Sequence, residues 1–266
     1  MNLNLKNKVA LITGASAGIG KATAKIFVQE GAFLVICGRS GVEILKTKDE
    51  LMRAYPGSKI LAVSADIHTE KGRHTFVQKA LDEYSSVDVL VNNTDGPVLR
   101  SVTPDLATEK DWREVFDGKL QAYMSMTNLV LPYMKNQRWG RIINVVGATG
   151  QEPSSDLLAA GVVNAGLINF TKAMATSSAN HNVLINAVNP GYIHTERLNR
   201  YVVSQSEKMN LSVEEVQSQL NQKIPLQRLG TADEVADLIV FLASDRASYL
   251  SGVSINVDGG FCKSAF

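Results

Sequence analysis

The chain has 266 residues and a formal net charge of +1, with 45% apolar and 20% charged residues. A chain of this length can bury one large core, and the composition is that of an ordinary globular protein. The balanced charge removes the electrostatic basis for nucleic acid or an anionic membrane as a main partner. No signal region precedes the first apolar run and no run approaches the roughly 18 apolar residues of a membrane span, so we expect a soluble cytoplasmic protein.

Short apolar runs alternate with longer amphipathic stretches. The runs interpreted as strands are Val9–Thr13, Phe33–Cys37, Ile60–Val63, Val87–Val91, Arg141–Val146, Leu184–Val188 and Val253–Val257. The stretches interpreted as helices cover residues 18–30, 41–55, 69–85, 108–136, 156–180 and 231–244. This order predicts an α/β fold of the Rossmann type, a doubly wound parallel sheet of about seven strands with helices on both faces. No repeat or linker divides residues 1–266, which predicts a single domain.

Two features stand apart from this alternation. Residues 192–228 are polar and helix-prone, which is typical of a lid over a ligand site, although a solvated surface helix is the alternative. The cysteines, Cys37 and Cys262, form neither a disulfide framework nor a metal-binding spacing, and we expect no metal. Cys37 lies in an apolar run and is predicted to be a buried thiol.

A glycine-rich turn follows the first predicted strand, with Gly14, Gly18 and Gly20 at the start of the first helix. Glycine there permits a tight turn and lets backbone N–H groups approach a pyrophosphate, which the helix N-terminus favours electrostatically. We therefore predict a dinucleotide-binding turn that also includes Ser16 and Ile19.

At this turn the chain resembles the short-chain dehydrogenase/reductase family, in its FabG-like ketoacyl-reductase branch. Further motifs of that family follow in order across about residues 5–260, namely Ala65-Asp66, Val91-Asn92-Asn93, Gly140-Arg141-Ile142-Ile143-Asn144, Asn189-Pro190-Gly191, Pro225-Leu226-Gln227-Arg228-Leu229-Gly230 and Val257-Asp258-Gly259-Gly260. The resemblance implies an oxidoreductase that uses a nicotinamide cofactor on a small carbonyl or hydroxyl substrate. It also implies a homodimer or homotetramer, formed through the helices near 108–136 and 156–180.

The end of the second strand bears on the choice of cofactor. In dinucleotide folds an acidic side chain near this point accepts the ribose hydroxyls of NAD, whereas an arginine accommodates the 2′-phosphate of NADP. This chain has Gly38 followed by Arg39, whose guanidinium can bind a phosphate in a forked geometry. The pattern predicts NADP(H) over NAD(H); the alternative is that Arg39 is only a solvated residue at a strand end.

The resemblance implies further cofactor contacts. They are Asp66 at the adenine with Ile67 beside it, Asn92 at the adjoining ribose, and Pro190, Gly191 and Thr195 on the carboxamide or phosphate side.

The residues that the family uses for chemistry are replaced. Family members carry a catalytic Asn, Ser, Tyr and Lys, and these positions fall on Lys119, Gly147, Ala160 and Asn164. The family spacing of thirteen residues between Ser and Tyr is kept between Gly147 and Ala160. Neither of those side chains can donate a proton, so the usual general-acid mechanism is not available to this chain.

Lys119 and Asn164 look like an exchange of the family's Asn and Lys. If both residues face one pocket, the pocket keeps a lysine cation, now on the wall opposite the position of the family's Lys. We hypothesise that Lys119 stabilises negative charge, with Tyr123, which shares its helix face, or the lid residues Tyr192 and His194 as proton source. The alternatives are that Tyr123 is a core aromatic, that His194 is a surface residue, and that Lys119 only fills space.

Two function classes remain open after these considerations. We favour an atypical NADP(H)-dependent oxidoreductase with a non-standard mechanism. The alternative is a catalytically inactive NADP(H)-binding protein that acts as a sensor or partner subunit. A carboxylate, Asp95, is expected near the nicotinamide, and apolar residues, Val98, Leu99, Leu157 and Leu158, are expected to wall the substrate site.

Overall fold

The computed structural model describes residues 2–94 and 108–264, and its centre is a parallel sheet. The strands are β1 (Val9–Ile12), β2 (Phe33–Gly38), β3 (Ile60–Ser64), β4 (Val89–Asn92), β5 (Gly140–Val145), β6 (Val183–Pro190) and β7 (Ser254–Val257). Within the described ranges they form one seven-stranded sheet in the order β3-β2-β1-β4-β5-β6-β7. The predicted doubly wound fold is therefore confirmed, with each predicted strand within two residues of its observed ends.

Helices connect successive strands. They are α1 (Gly18–Gln29), α2 (Gly41–Ala54), α3 (Glu70–Tyr84), α4 (Glu109–Val115), α5 (Gln121–Asn136), α6 (Leu158–Ser178), α7 (Glu196–Met209), α8 (Val213–Gln222) and α9 (Ala232–Ala243). The sequence predicted one helix over 108–136, but α4 and α5 are joined by a π-helical turn at Phe116–Leu120. Such a turn inserts an extra residue and changes which side chains face the sheet, and it is frequent at functional sites.

The two faces of the sheet carry separate apolar layers because side chains alternate along each strand. Ala10 and Ile12 of β1 pack with Phe27 of α1 in one layer. Leu11, between them, packs with Phe76 and Met126 in the other layer. The strand order reverses between β1 and β4, so the helices that follow them diverge and leave a crevice at the carboxyl ends of the strands.

Helix α6 is unusually apolar. Within the described residues, Leu158–His181 is the segment long and apolar enough to cross a membrane by length and composition alone. Asn164, Asn169 and Lys172 interrupt this segment, so it is not the uninterrupted run of about 18 apolar residues that the sequence analysis considered. The inner face of α6 packs into the core through Val163, Leu167 and Ala175, as a helix covering a sheet does.

Both cysteines are free thiols, and we predict that neither reacts in the folded protein. Burial raises the pKa of Cys37 to about 12, and partial burial with the nearby Asp258 carboxylate raises the pKa of Cys262 to about 12. The thiolate is the reactive form, so iodoacetamide at pH 8 should modify neither cysteine in the native state and both after unfolding. Mass spectrometry of the labelled protein measures this, and rapid native labelling of Cys37 would contradict its placement in the core.

Candidate active site

The glycine turn after β1 forms the first wall of a cleft of about 1250 Å³ at the carboxyl ends of the strands. Gly14 and Gly18 have positive φ angles of +63° and +54°. A Cβ atom at Gly14 would lie 2.4 Å from the carbonyl oxygen of Asn93, and one at Gly20 would lie 2.3 Å from that of Gly14. Only glycine fits these two close approaches.

Helix α1 presents its N-terminus to the cleft. Its N-cap residue, Ala17, makes no side-chain hydrogen bond to the first-turn amides. The first amides of a helix have no partner within the helix, so this end favours an anionic group. The glycine cradle and the uncapped N-terminus together fit the pyrophosphate of a dinucleotide. Ser16, Gly18 and Ile19, which the sequence analysis assigned to the cofactor turn, line the cleft beside them.

The end of β2 continues the same wall. A Cβ atom at Gly38 would lie 2.3 Å from Ser16 Oγ, so the hydroxyl of Ser16 occupies the space of a side chain at position 38. Arg39 is exposed and lines the cleft, where its guanidinium can receive a phosphate group. Asp66 and Ile67, also predicted, line the cleft next to it.

The structure does not place the side chain of Asn92 in the cleft, where the resemblance implied a contact with the ribose. Its side chain is fully buried and donates a hydrogen bond of 2.9 Å to Asn144 Oδ1, which ties β4 to β5. The neighbouring Asn93 lines the cleft instead, and its side-chain amide donates to the carbonyl oxygens of Thr13 and Gly14 at 3.3 Å. Successive strand residues point to opposite faces, so the choice between two adjacent asparagines depends on a one-residue phase that the motif alone does not reveal.

The loop after β6 closes the far side of the cleft. Three residues that the resemblance implies as cofactor contacts, Pro190, Gly191 and Thr195, all line it. The Thr195 methyl group lies 3.3 Å from the position of a Cβ at Gly18, so Thr195 sits directly over the glycine turn. Its hydroxyl caps α7 by accepting from the Leu198 amide at 3.4 Å. A group bound at the glycine turn would therefore be held from both sides.

Lys119 and Asn164 meet at the opposite end of the cleft. Lys119 Nζ donates to Asn164 Oδ1 at 3.1 Å and also, in a shorter contact, to the carbonyl oxygen of Val146. Asn164 Nδ2 in turn donates to Thr149 Oγ1 at 2.8 Å. The two exchanged positions therefore do face one pocket, and the π-helical turn carries Lys119 into it.

Tyr123 does share a face with Lys119, whose Nζ lies 5.5 Å from the centre of its ring. The tyrosine is fully buried, however, and its hydroxyl is 3.0 Å from the carbonyl oxygens of both Thr94 and Val145. The side chain also lines the cleft, so its hydroxyl borders the site while it contacts these two carbonyl oxygens. These contacts join the ends of β4 and β5 and favour the alternative that Tyr123 is a core aromatic; its role as a proton source stays a prediction.

Gly147 and Ala160, which the sequence resemblance aligns with the family's Ser and Tyr, both line the cleft. Gly147 has φ +133° and ψ 146°, a region of backbone conformation that is essentially restricted to glycine. A Cβ atom there would also lie 2.9 Å from Asn164 Nδ2. The backbone at position 147 is thus shaped for glycine and for the Asn164 side chain.

The two lid candidates differ in position. Tyr192 lines the cleft and packs edge-on against Phe261 at a ring-centre distance of 5.1 Å. His194 is exposed, is not among the cleft-lining residues, and joins the fold by donating its backbone N–H to Gly230 at 2.8 Å. The sequence placed His194 near the site because it follows the Pro-Gly turn, but the chain there directs it to solvent.

Some expectations lie outside the described residues. These concern Asp95 beside the nicotinamide and the apolar pair Val98–Leu99. Leu157 and Leu158 do line the cleft. In residues 2–94 and 108–264, no group of three or more His, Cys, Asp or Glu side chains is arranged to hold a metal ion.

The amino-acid sequence matches a known protein family and several known reductases. The family model for short chain dehydrogenase matches residues 8–206. The chain is 34% identical to the NADPH-dependent reductase BacG of Bacillus subtilis, over 98% of this chain and 100% of that protein. It is 37% identical to the 3-oxoacyl-[acyl-carrier-protein] reductase FabG of Thermotoga maritima, over 97% and 99% of the two chains.

Solved structures agree with these sequence relatives. YwfH, an NADPH-dependent reductase involved in bacilysin biosynthesis, superposes with a TM-score of 0.93 at 33% identity, over 97% of this chain and 100% of that one. L-Sorbose reductase from Gluconobacter frateurii, solved with NADPH and L-sorbose, gives a TM-score of 0.93 at 28% identity, over 99% and 100%.

We predict that Gly147→Ser, which restores the family's residue type, destabilises the protein. A residue forced into this backbone region costs about 1–3 kcal/mol, and 1 kcal/mol lowers Tm by about 2–4 °C in a chain of this size. Gly41→Ser is the matched control, because a Cβ there meets Ser64 only at an ordinary 3.5 Å. Thermal unfolding of both variants measures the difference, and equal Tm values would contradict the backbone assignment.

Proposed function

Because this chain belongs to the short-chain dehydrogenase/reductase family, we propose that it is an NADP(H)-dependent oxidoreductase that acts on a small carbonyl or hydroxyl compound without the usual tyrosine. The observation that supports this most directly is the contact between Lys119 and Asn164. The family's cation is absent from position 164, yet an ammonium group occupies the same pocket from position 119. A cleft that had merely lost its function would not need to keep that charge.

The cofactor assignment is supported by the first half of the cleft. The glycine cradle fits a pyrophosphate, and Arg39 at the end of β2 offers a cation for the 2′-phosphate that distinguishes NADP from NAD. Two of the relatives described above are named as NADPH-dependent reductases, and a third was solved with NADPH. When bound, the nicotinamide supplies or accepts the hydride.

The chain's own residues then have to stabilise the substrate oxygen. As hydride reaches the carbonyl carbon, negative charge develops on the oxygen, and a fixed cation in a partly enclosed site stabilises that charge. Lys119 is held for this role by two acceptors, Val146 O and Asn164 Oδ1. The ammonium group therefore needs little reorganisation when the charge appears.

The second candidate function is an inactive NADP(H)-binding sensor or partner subunit. It is favoured by the absence of a proton donor at Gly147 and Ala160 and by the engagement of the Tyr123 hydroxyl with two carbonyl oxygens. Both candidates bind the cofactor. Only the first consumes NADPH when a carbonyl compound is added.

Residues 192–228 are proposed to act as a lid. The two ends of this segment meet at the bridge between Ile193 and Gly230, and α7 and α8 pack on each other through a small apolar cluster of their own. Arg228 pairs with Glu234 and lowers the pKa of that carboxyl to about 2, so the pair stays ionised near neutral pH. Two packed helices that are joined to the fold at the Ile193–Gly230 bridge, beside a cleft, are suited to closing over a ligand.

The assembly and location follow the same family pattern. Val162 of α6 and Tyr133 of α5 are large apolar side chains that remain exposed in the single chain. We propose that α5 and α6 pair with a second copy in a homodimer or homotetramer, which acts in the cytoplasm on a small molecule.

We predict that Arg39→Ala weakens NADPH binding by about 10- to 100-fold and leaves NADH binding nearly unchanged. A hydrogen-bonded contact to a charged group contributes about 1.5–3 kcal/mol, and NADH lacks the phosphate. Fluorescence titration with both cofactors measures the change, with Arg53→Ala on the exposed end of α2 as control. Equal losses for both cofactors would contradict the role of Arg39, and no binding of either cofactor by the wild type would overturn the function.

We predict that Lys119→Met lowers kcat for NADPH-dependent reduction by about 10²–10³-fold, because removal of one oxyanion-stabilising group has an effect of that size. The control is Lys110→Met, which removes an exposed lysine from α4. The assay measures the loss of NADPH absorbance after each ketone of a panel is added. Full activity in Lys119→Met would exclude the lysine from the mechanism.

A further inference from the structure

The hydroxyl of Thr149 lies in the cleft close to the pair formed by Lys119 and Asn164. Thr149 is in the single 3-10 turn Ala148–Gly150 that follows β5, two residues after Gly147, and it lines the cleft. The side chain is half-buried. It belongs to none of the family positions considered above.

The direction of the hydrogen bonds follows from the chemistry of Lys119. An ammonium group only donates, so the Asn164 atom that contacts Lys119 Nζ at 3.1 Å must be the carbonyl oxygen. The amide nitrogen of Asn164 therefore faces Thr149, and it donates to Thr149 Oγ1 at 2.8 Å. The lysine thus determines the orientation of the Asn164 amide. That orientation makes the Thr149 oxygen an acceptor in its hydrogen bond with Asn164.

This chain of bonds leaves the Thr149 proton to be donated elsewhere. A hydroxyl has one proton and two lone pairs, and Asn164 uses a lone pair. In the ranges 2–94 and 108–264, no oxygen accepts the Thr149 hydroxyl proton. The hydroxyl borders the cleft, so an oxygen atom of a bound molecule can accept it.

We propose that Thr149 donates a hydrogen bond to the substrate oxygen, and that Lys119 strengthens this donation through Asn164. Hydrogen bonds in series polarise one another, and the positive charge at the lysine end makes the terminal hydroxyl a better donor. The inference rests on the proposed oxidoreductase function and identifies a residue that contacts the reacting carbonyl group.

The bond changes in this step are simple. Bound NADPH would supply the hydride that forms the new C–H bond and would become NADP+, the carbonyl π electrons would move to oxygen, and the Thr149 hydrogen bond would shorten as the alkoxide forms. Thr149 keeps its proton, and solvent water supplies the proton that gives the alcohol, with the hydroxide released to the solvent. The threonine is a stabilising donor and not a general acid.

Three variants distinguish the effect of the Thr149 hydroxyl proton from the effects of side-chain shape and of polarity at this position. Thr149→Val is isosteric and lacks the hydroxyl, whereas Thr149→Ser keeps it. Asn164→Asp keeps the contact with Lys119 but presents a carboxylate oxygen to Thr149 in place of the N–H group. The Thr149 proton would then be donated to position 164 and not to the substrate.

The primary measurement does not require turnover. The wild type and variants are saturated with NADP+, which cannot deliver hydride, and ethyl [3-13C]acetoacetate is added as the ketone probe. The 13C signal of the bound ketone reports how strongly its oxygen is hydrogen-bonded. We expect a downfield signal in the wild type and Thr149→Ser, and an upfield displacement in Thr149→Val and Asn164→Asp.

Kinetics give a second, independent test. On any ketone reduced by the wild type, Thr149→Val should lower kcat by about 10²-fold, as loss of one oxyanion donor does, and Thr149→Ser should recover most of it. The double variant Thr149→Val/Asn164→Asp should be no slower than Asn164→Asp alone, since both changes remove the same donor.

Each outcome decides the proposal. The same 13C position in the wild type and Thr149→Val, or the absence of a bound-ketone signal in the wild type with NADP+ in place, overturns the role of Thr149. Failure of NADP+ itself to bind is a different result, because it overturns the proposed function from which the inference starts.

Discussion

The Lys119 ammonium group, held between the carbonyl oxygen of Val146 and the side chain of Asn164, orders the part of the cleft where we propose that the substrate oxygen binds. A cation that can only donate forces the amide of Asn164 into one orientation, and that orientation in turn sets the hydrogen bond to Thr149. Removing the lysine would leave two oxygen acceptors without their donor, at a cost of about 1–3 kcal/mol for each buried group. Charge, orientation and stability thus depend on one side chain.

The surrounding backbone is consistent with this arrangement. Gly147 adopts a conformation that a serine rarely takes, and the space a Cβ would need lies against the Asn164 amide. The π-helical turn at Phe116–Leu120 places Lys119 where it reaches that same amide. Lys119, Gly147 and Asn164 therefore fit one another closely, which supports the proposal that this part of the cleft serves a function. The cofactor half of the cleft, by contrast, keeps the family's glycine turn unchanged.

Much of this could be predicted from the sequence, for identifiable reasons. Apolar runs and amphipathic stretches located every strand and most helices, because burial on both faces of a parallel sheet imposes a clear pattern. The position of the glycine turn and of Arg39 in the cleft could be predicted from the sequence, because the close backbone approach and the charge are properties of short local segments. The engagement of the Tyr123 hydroxyl could not be predicted, since it depends on contacts with distant segments. The choice between Asn92 and Asn93 and the exposure of His194 could not be predicted either, since each depends on the exact direction of the local backbone. The π-helical turn was missed because its one unusual residue, Gly118, is a single glycine of the kind that ordinary helices also tolerate.

Transfer of deuterium from NADPH to a ketone tests the central claim most directly. The protein is incubated with NADPH deuterated at C4 on either face and with a panel of ketones, and the alcohols are analysed by mass spectrometry. The account predicts a product one mass unit heavier with the wild type, from one of the two cofactor forms, and its strong reduction with Lys119→Met. Tight binding of NADPH without deuterium in any product would contradict an oxidoreductase and favour a cofactor-binding sensor.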